Sequence, residues 1–358
     1  MTEIAAQRGA AGAEWAGKTL CDALAITADR YGELPALSDR DGDGPWQTVS
    51  WAQTRQRALD LAAGFAELGL QPGEHVALML PNRLEHVLAD LGVLHAGGIP
   101  LTFYATLAPE QIAFMAGDCD ATIAVLDGAS ELARWQQVLS RLPSLRTIIV
   151  RDAAACPAEP PYLSWDALAA LGAQRHAASP EVVAGRAAGV RPDDPVTLLY
   201  TSGTTANPKG VVITHANVLY EVAVNTAGRI APMHARVVSY LPLAHIAERV
   251  LTVYLGICHA RHVYFCHDAA NQLVGTLTDV RPTAFFGVPR IYEKVMAGIH
   301  ALLTAERDES RRAAVALAMA TGLEYVRSRQ YGETTSAALA RRFAAADEIG
   351  RASCRERV

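Results

Sequence analysis

The densest run of chemistry-bearing residues in this 358-residue sequence is Tyr200-Thr201-Ser202-Gly203-Thr204-Thr205-Ala206-Asn207-Pro208-Lys209-Gly210. Four hydroxyl side chains, two glycines and one lysine fall between Thr201 and Gly210. Glycine lets the backbone turn so that several N–H groups converge on one anion. Hydroxyls add donors, and Lys209 supplies a point charge for phosphate oxygens. The run therefore reads as a phosphate loop. It is not the Gly-Lys-Ser/Thr loop of the P-loop nucleotide binders, because Pro208 precedes Lys209 and Gly210 follows it. Nor is it a Gly-x-Ser-x-Gly nucleophile turn, because Ser202 lacks the leading glycine. The bland alternative is a polar turn after a buried strand.

Two other clusters carry less. His245 and Glu248 stand at i, i+3, the spacing of a metal pair, but no further ligand is placed beside them; Glu248 and Arg249 read as a solvated or ion-paired face. The run Cys258-His259 to Cys266-His267 invites a zinc reading, yet its spacing is not that of the common C-x₂₋₄-C sites. There, His262 to Cys266 reads as a strand, with Cys258 and Cys266 as buried small hydrophobes.

The loop needs a strand to feed it, and Val196 to Tyr200 is a short apolar run of that kind. Further buried strands are expected at His75–Leu80, Ala121–Leu126 and Thr147–Val150, with Ile99–Leu101 extended and one more strand at Ala284–Val288. Helices are expected from Leu20 to Arg30, after an N-cap at Ser50, over 83–95, from Pro109, and over 290–346 with a break near Asp308 to Arg311. The Ala-, Pro-, Gly- and Arg-rich stretches 152–164 and 173–195 read as surface connections. Strand–helix alternation implies an α/β fold with mostly parallel sheets flanked by helices. Such sheets place ligands at the carboxyl ends of their strands.

Composition narrows the partners. The formal net charge is −5 and half the residues are hydrophobic, so no strong basic field invites nucleic acid. Six scattered cysteines suit a reducing compartment, and the expected location is cytoplasmic. No apolar run is long enough to span a bilayer; peripheral membrane contact stays open.

The eleven-residue loop resembles that of the acyl-adenylate-forming (AMP-binding) superfamily, which reads Tyr-Thr-Ser-Gly-Thr-Thr-Gly-x-Pro-Lys-Gly, with Ala206 here in place of a glycine. His95-Ala96-Gly97-Gly98-Ile99-Pro100, Leu107 to Ile112 and Thr214-His215-Ala216-Asn217 are similar to other segments of the same superfamily. Tyr240-Leu241-Pro242-Leu243-Ala244-His245-Ile246-Ala247-Glu248-Arg249 and Phe286-Gly287-Val288-Pro289-Arg290-Ile291-Tyr292-Glu293-Lys294 look like its long-chain fatty-acid–CoA ligase group. The likeness covers about 20–347.

The resemblance implies activation of a fatty acid by ATP to an acyl-adenylate, then transfer to CoA. It implies that Tyr200 to Ala206, with Lys209 and Gly210, hold the ATP phosphates. It further implies that Lys209 neutralises the leaving pyrophosphate, that Thr201 helps hold Mg²⁺, and that His245 lines the junction of acyl and nucleotide sites. An amino-acid- or aryl-acid-adenylating enzyme, or a naturally short non-catalytic nucleotide- or acyl-binding protein, are the alternatives.

The expected layout is a tail over 1–16, a partial AMP-binding domain over 17–347, and a non-native tail over 348–358, whose residues look like a translated sequencing adapter. No residue here matches the superfamily's adenine-binding Tyr-Gly-x-Thr-Glu segment, its ribose-binding Asp or the catalytic Lys of its small C-terminal domain. The expectation is an inactive fragment with an incomplete site.

Overall fold

The computed structural model describes residues 13–42, 44–201, 208–227, 232–330 and 334–355, with side chains to residue 346. Two compact units divide it, residues 1–285 and 286–358.

The first unit opens with α1 (Leu20–Tyr31), started by a reciprocal cap between Thr19 and Asp22. The expected tail over 1–16 is described only from residue 13; there, Trp15 is buried in the core rather than loose. Strands β1 (Pro35–Asp39) and β2 (Gln47–Ser50) form an antiparallel pair. Helix α2 (Trp51–Glu67) begins at Ser50, whose hydroxyl accepts from Gln53 N–H while the Gln53 side chain returns the bond. Gly69 follows at φ +85°, a conformation glycine adopts without strain.

A five-stranded sheet comes next. Its strands β3 (His75–Met79), β4 (Ile99–Thr102), β5 (Ile123–Leu126), β6 (Thr147–Val150) and β7 (Tyr162–Ser164) run in the order β4-β3-β5-β6-β7 and pair in parallel throughout. Helices α3 (Leu84–His95), α4 (Pro109–Asp118), α5 (Ala129–Gln136), α6 (Trp165–Ala178) and α7 (Pro180–Gly189) lie between and after these strands. Burial on both faces explains the near-continuous apolar sequence of β3, β5 and β6. The stretch 173–195, expected as a surface connection, is instead mostly helical. Alanine is the best helix former, and Pro180 sits at the first position of α7, where its missing N–H costs nothing.

Strands β8 (Pro195–Thr201) and β9 (Lys209–Thr214) form an antiparallel hairpin and lead into α8 (His215–Ala227). Then come β10 (Arg236–Ser239), a short helical run α9 (Ile246–Glu248) that widens into a π-helical stretch over Arg249–Tyr254 and closes as α10 (Leu255–Cys258), and β11 (His262–Phe265). Strands β10, β11, β1 and β2 make a second sheet in that order, with β11 parallel to both β10 and β1. Cys258, closing α10, and Cys266, just past β11, are buried, as expected. Helix α11 (Ala269–Val280) ends the unit's regular structure.

Helix α3 serves both sheets. Val87, Leu91 and Leu94 join the core of the β10-β11-β1-β2 sheet, while Leu88, Ala89 and Val93 join a core of the parallel sheet. A helix that presents apolar residues to opposite faces is what such a sandwiched position requires.

The expected strand Ala284–Val288 is not formed. The N–H groups of Thr283 and Ala284 both go to the Arg236 carbonyl at the start of β10, and the residues after them find no ladder partner. The second unit holds α12 (Pro289–Ala305), α13 (Glu309–Arg327) and α14 (Ala337–Arg355). Asp308 caps α13 by accepting from Ser310 and Arg311 N–H, so the expected break falls just before the helix it starts.

Candidate active site

The β8–β9 hairpin positions both ends of the expected phosphate loop. Tyr200 pairs with Gly210 and Thr201 with Lys209, so the strands bring the first hydroxyl of the loop opposite its lysine. Thr201 and Lys209 are exposed. Ser202, Gly203, Thr204, Thr205 and Ala206 lie outside the described residues. Behind the loop the hairpin is anchored. Thr197 Oγ1 donates to Pro100 O at 2.7 Å in β4, and Tyr200 OH donates to Asp118 Oδ2 at 2.7 Å at the end of α4. Burial, then the Asp118 carboxylate, push the Tyr200 phenol far above its ordinary range, so Tyr200 acts as a fixed neutral donor.

His245 stands at the N-cap of α9 and is exposed, so it is not a core residue at a helix end. Its Nδ1 accepts from Ala247 N–H at 3.2 Å, which assigns the ring proton to Nε2 and leaves that corner for another partner. The turn before it closes with His245 N–H to Pro242 O at 2.8 Å.

The sequence suggests a solvated or ion-paired face for Glu248 and Arg249. Both are buried, and of the two only Arg249 has an ion-pair partner described, Asp90. Arg249 Nη2 reaches Asp90 Oδ2 at 2.6 Å, Nη1 reaches Thr102 Oγ1 at 3.0 Å, and Nε reaches Tyr254 OH at 2.8 Å. Burial alone would lower the guanidinium pKa; the Asp90 charge reverses that and holds it cationic. Glu248 Oε1 accepts from Ser239 Oγ at 2.7 Å. Burial pushes its carboxyl up to about 7, against the opposing pull of Ser239, Thr252 and the Tyr240 and Leu241 N–H groups.

Nothing along the sequence marks Asn82. It lies just past β3, buried, and its Nδ2 donates to Ser239 Oγ at 2.9 Å and to Leu241 O at 2.6 Å. Nearby, His86 Nδ1 faces only the Leu80 and Pro81 carbonyls at 3.1 Å, so it carries the proton there, and Nε2 meets Thr102 Oγ1 at 3.0 Å. Arg290, in the second unit, is exposed in the first turn of α12. A cavity of about 770 Å³ opens near the amino ends of β3 and β4, lined by Pro72, Gly98, Arg186 and His215 among others. It holds none of the phosphate-loop residues.

Mg²⁺ usually keeps water and substrate phosphate oxygens and takes only one or two protein ligands. Among the described residues no group of three His, Cys, Asp or Glu side chains could hold a metal. The exposed Thr201 hydroxyl fits a single-oxygen role of that kind.

Residues 24–349 match the family model of AMP-binding enzymes, and the chain belongs to that family. Among curated relatives, the long-chain-fatty-acid–CoA ligase ACSBG2 of Xenopus laevis is 32% identical over 317 residues, covering 86% of this chain and 42% of that protein. ACSBG1 of Homo sapiens, also a long-chain-fatty-acid–CoA ligase, is 32% identical over 308 residues, covering 83% and 41%. The chain thus spans about two fifths of the length of these relatives. Among solved structures, a long-chain-fatty-acid-CoA ligase (FadD1) from Archaeoglobus fulgidus matches with a TM-score of 0.64 at 19% identity, covering 79% of this chain and 54% of that one. The N-terminal domain of FACL13 from Mycobacterium tuberculosis matches at 0.61 and 23%, covering 76% and 63%. These structures share the α/β architecture of mostly parallel sheets.

Proposed function

We propose that the full-length protein activates a fatty acid with ATP, forming acyl-adenylate and pyrophosphate, and then passes the acyl group to CoA. The observation that carries this reading is the hairpin register that sets Lys209 against Thr201 at the two mouths of the phosphate loop. In-line displacement at the α-phosphate is governed by positioning and charge neutralisation. Lys209 would orient and neutralise the departing pyrophosphate. Thr201 would contribute one oxygen to Mg²⁺, which supplies charge neutralisation at the phosphates when bound. His245, with Nε2 directed away from its own helix bond, would face the junction of carboxylate and nucleotide. The fatty-acid preference draws on the relatives named above and on the Tyr240 to Arg249 segment.

The test is fatty-acid-dependent exchange of labelled pyrophosphate into ATP by the full-length protein, with amino acids and aryl acids as competing substrates. Exchange with long-chain fatty acids and not with the other acids supports the reading; exchange with amino acids alone overturns it. The isolated 358 residues are expected to show no exchange, because the match covers about two fifths of each relative's length. Exchange by that chain would overturn this part of the reading.

A further inference from the structure

Two sheets meet at the residues just before His245. Asn82 follows β3 in the parallel sheet, whereas Ser239 ends β10 in the other sheet. The Asn82 amide spans them, donating to Ser239 Oγ at 2.9 Å and to Leu241 O at 2.6 Å. Ser239 passes its own hydroxyl proton toward Glu248 Oε1 at 2.7 Å, and Glu248 also faces the N–H groups of Tyr240 and Leu241. The Leu241 backbone is therefore gripped on its carbonyl side from β3 and on its N–H side from α9. Asn82, Ser239 and Glu248 are all buried, where an unmade hydrogen bond costs more than a made one contributes.

A second line of bonds reaches the same place. The Leu80 and Pro81 carbonyls accept from His86, His86 Nε2 meets Thr102 Oγ1, and Thr102 Oγ1 accepts from Arg249. Arg249 is anchored in turn on Asp90 of α3. The residues flanking the segment 240–247 are thus tied at both ends to the backbone around Asn82. Within that segment, His245 is exposed.

We infer that Asn82 is a positioning residue: it fixes the 240–245 segment across the two sheets and so sets where His245 stands. This deepens the fatty-acid-activating reading and rests on it only for the consequence in turnover; the positioning itself can be tested without it.

The experiment has two arms. In the 358-residue chain, amide hydrogen exchange is followed for Tyr240, Leu241 and Leu243 to Ala247, with β3 and α3 as internal references. The nearly isosteric Asn82→Leu removes two hydrogen bonds, so exchange in the segment is expected to rise about tenfold or more while the references stay unchanged. The milder Ser239→Ala, which keeps the Asn82–Leu241 bond, is expected to give a smaller rise confined to the same amides. Equal acceleration everywhere in both variants means a general loss of stability and overturns the proposal, as does no acceleration in the segment.

In the full-length protein, Asn82→Leu is expected to lower kcat for acyl-adenylate formation about tenfold or more with KM for ATP unchanged, because misplacement acts on the reacting geometry. A rise in KM for ATP at unchanged kcat overturns it. If wild-type full-length protein activates no acid at all, the functional reading fails while the exchange arm still decides the positioning.

Discussion

Arg249 Nη2 and Asp90 Oδ2 lie 2.6 Å apart with both side chains almost fully buried, joining the π-helical stretch after α9 to the helix sandwiched between the sheets. Removing one partner strands a charge in the core. Asp90→Leu or Arg249→Met alone is expected to destabilise the chain by about 3–5 kcal/mol in urea unfolding. The double variant Asp90→Leu with Arg249→Met should recover most of that loss, since an apolar pair of similar volume is often neutral. Additive losses in the double variant would contradict the pairing.

Glu248 gives a pH signature of one sign. Burial raises its folded pKa to about 7 from an ordinary 4.5. The folded chain then holds a proton that the unfolded chain has released. Its contribution is full below pH 4.5 and is lost as pH rises through 7, amounting to about 3 kcal/mol. Glu248→Gln should remove this fall, so that the urea midpoint rises more steeply with pH across the window than it does in the unsubstituted chain. An unchanged pH slope in that variant would refute the assignment.

His86 and His95 give the opposite sign. Burial lowers each to about 4 from 6.5. The unfolded chain takes up protons first, so their contribution is full above pH 6.5 and is lost as pH falls toward 4, by about 3 kcal/mol each at most. Because this window overlaps that of Glu248, it is best read in the Glu248→Gln background. There, the urea midpoint should fall steadily from pH 6.5 to 4.5; a flat profile would show that neither histidine is held neutral.

Helices α2 and α6 cross through facing glycines. A Cβ added at Gly172 would run into the Asp60 carbonyl oxygen and the Gly64 backbone, neither of which is a flexible side-chain end. Gly172→Ala should cost about 1–3 kcal/mol despite alanine's better helix propensity. Gly185→Ala on α7, where nothing stands within 4 Å, should be neutral or stabilising by about 0.5–1 kcal/mol. Thermal unfolding of the two variants side by side checks the contrast.

Lys209 is exposed in β9 and bears no part of the core. Lys209→Met should leave the unfolding curve in place and weaken ATP binding by the full-length protein roughly 10- to 100-fold, as loss of a charge-assisted phosphate contact does. Calorimetric titration with ATP would show it, and unchanged affinity would remove Lys209 from the phosphate site.

What could be read in the sequence was whatever depends on neighbours along the chain. The apolar runs at His75, Ile123, Thr147 and Val196 are strands because burial on both faces leaves a continuous signal. Ser50 announced the start of α2 as a local N-cap. The Tyr200 to Gly210 run was legible as a motif, and the β8–β9 hairpin carries its two ends, though Ser202 to Ala206 fall outside the described residues. What could not be read depends on distant partners. Asn82 is an ordinary turn residue until Ser239 and Leu241, more than 150 positions on, are brought against it. Glu248 and Arg249 look like a surface pair until Asp90 and Thr102 supply a buried setting. Ala284–Val288 has strand composition, but strand formation needs a ladder that the Arg236 carbonyl, already shared by two N–H groups, does not extend.

The parallel contact between β1 and β11 sets a schedule for the nascent chain. Leu37 pairs with Val263, and Ser38 with Tyr264, so β1 leaves the ribosome long before its neighbour exists. At about 5–20 residues per second, the interval is on the order of 10–45 seconds. During it, β1 has β2 as its one ladder partner, and a two-stranded hairpin by itself is marginal in water. The five-stranded parallel sheet, whose last strand ends at Ser164, can close first and offer α3 as a surface to wait against. Slowing synthesis ahead of residue 262 would therefore prolong the exposure of one sheet while leaving the other complete.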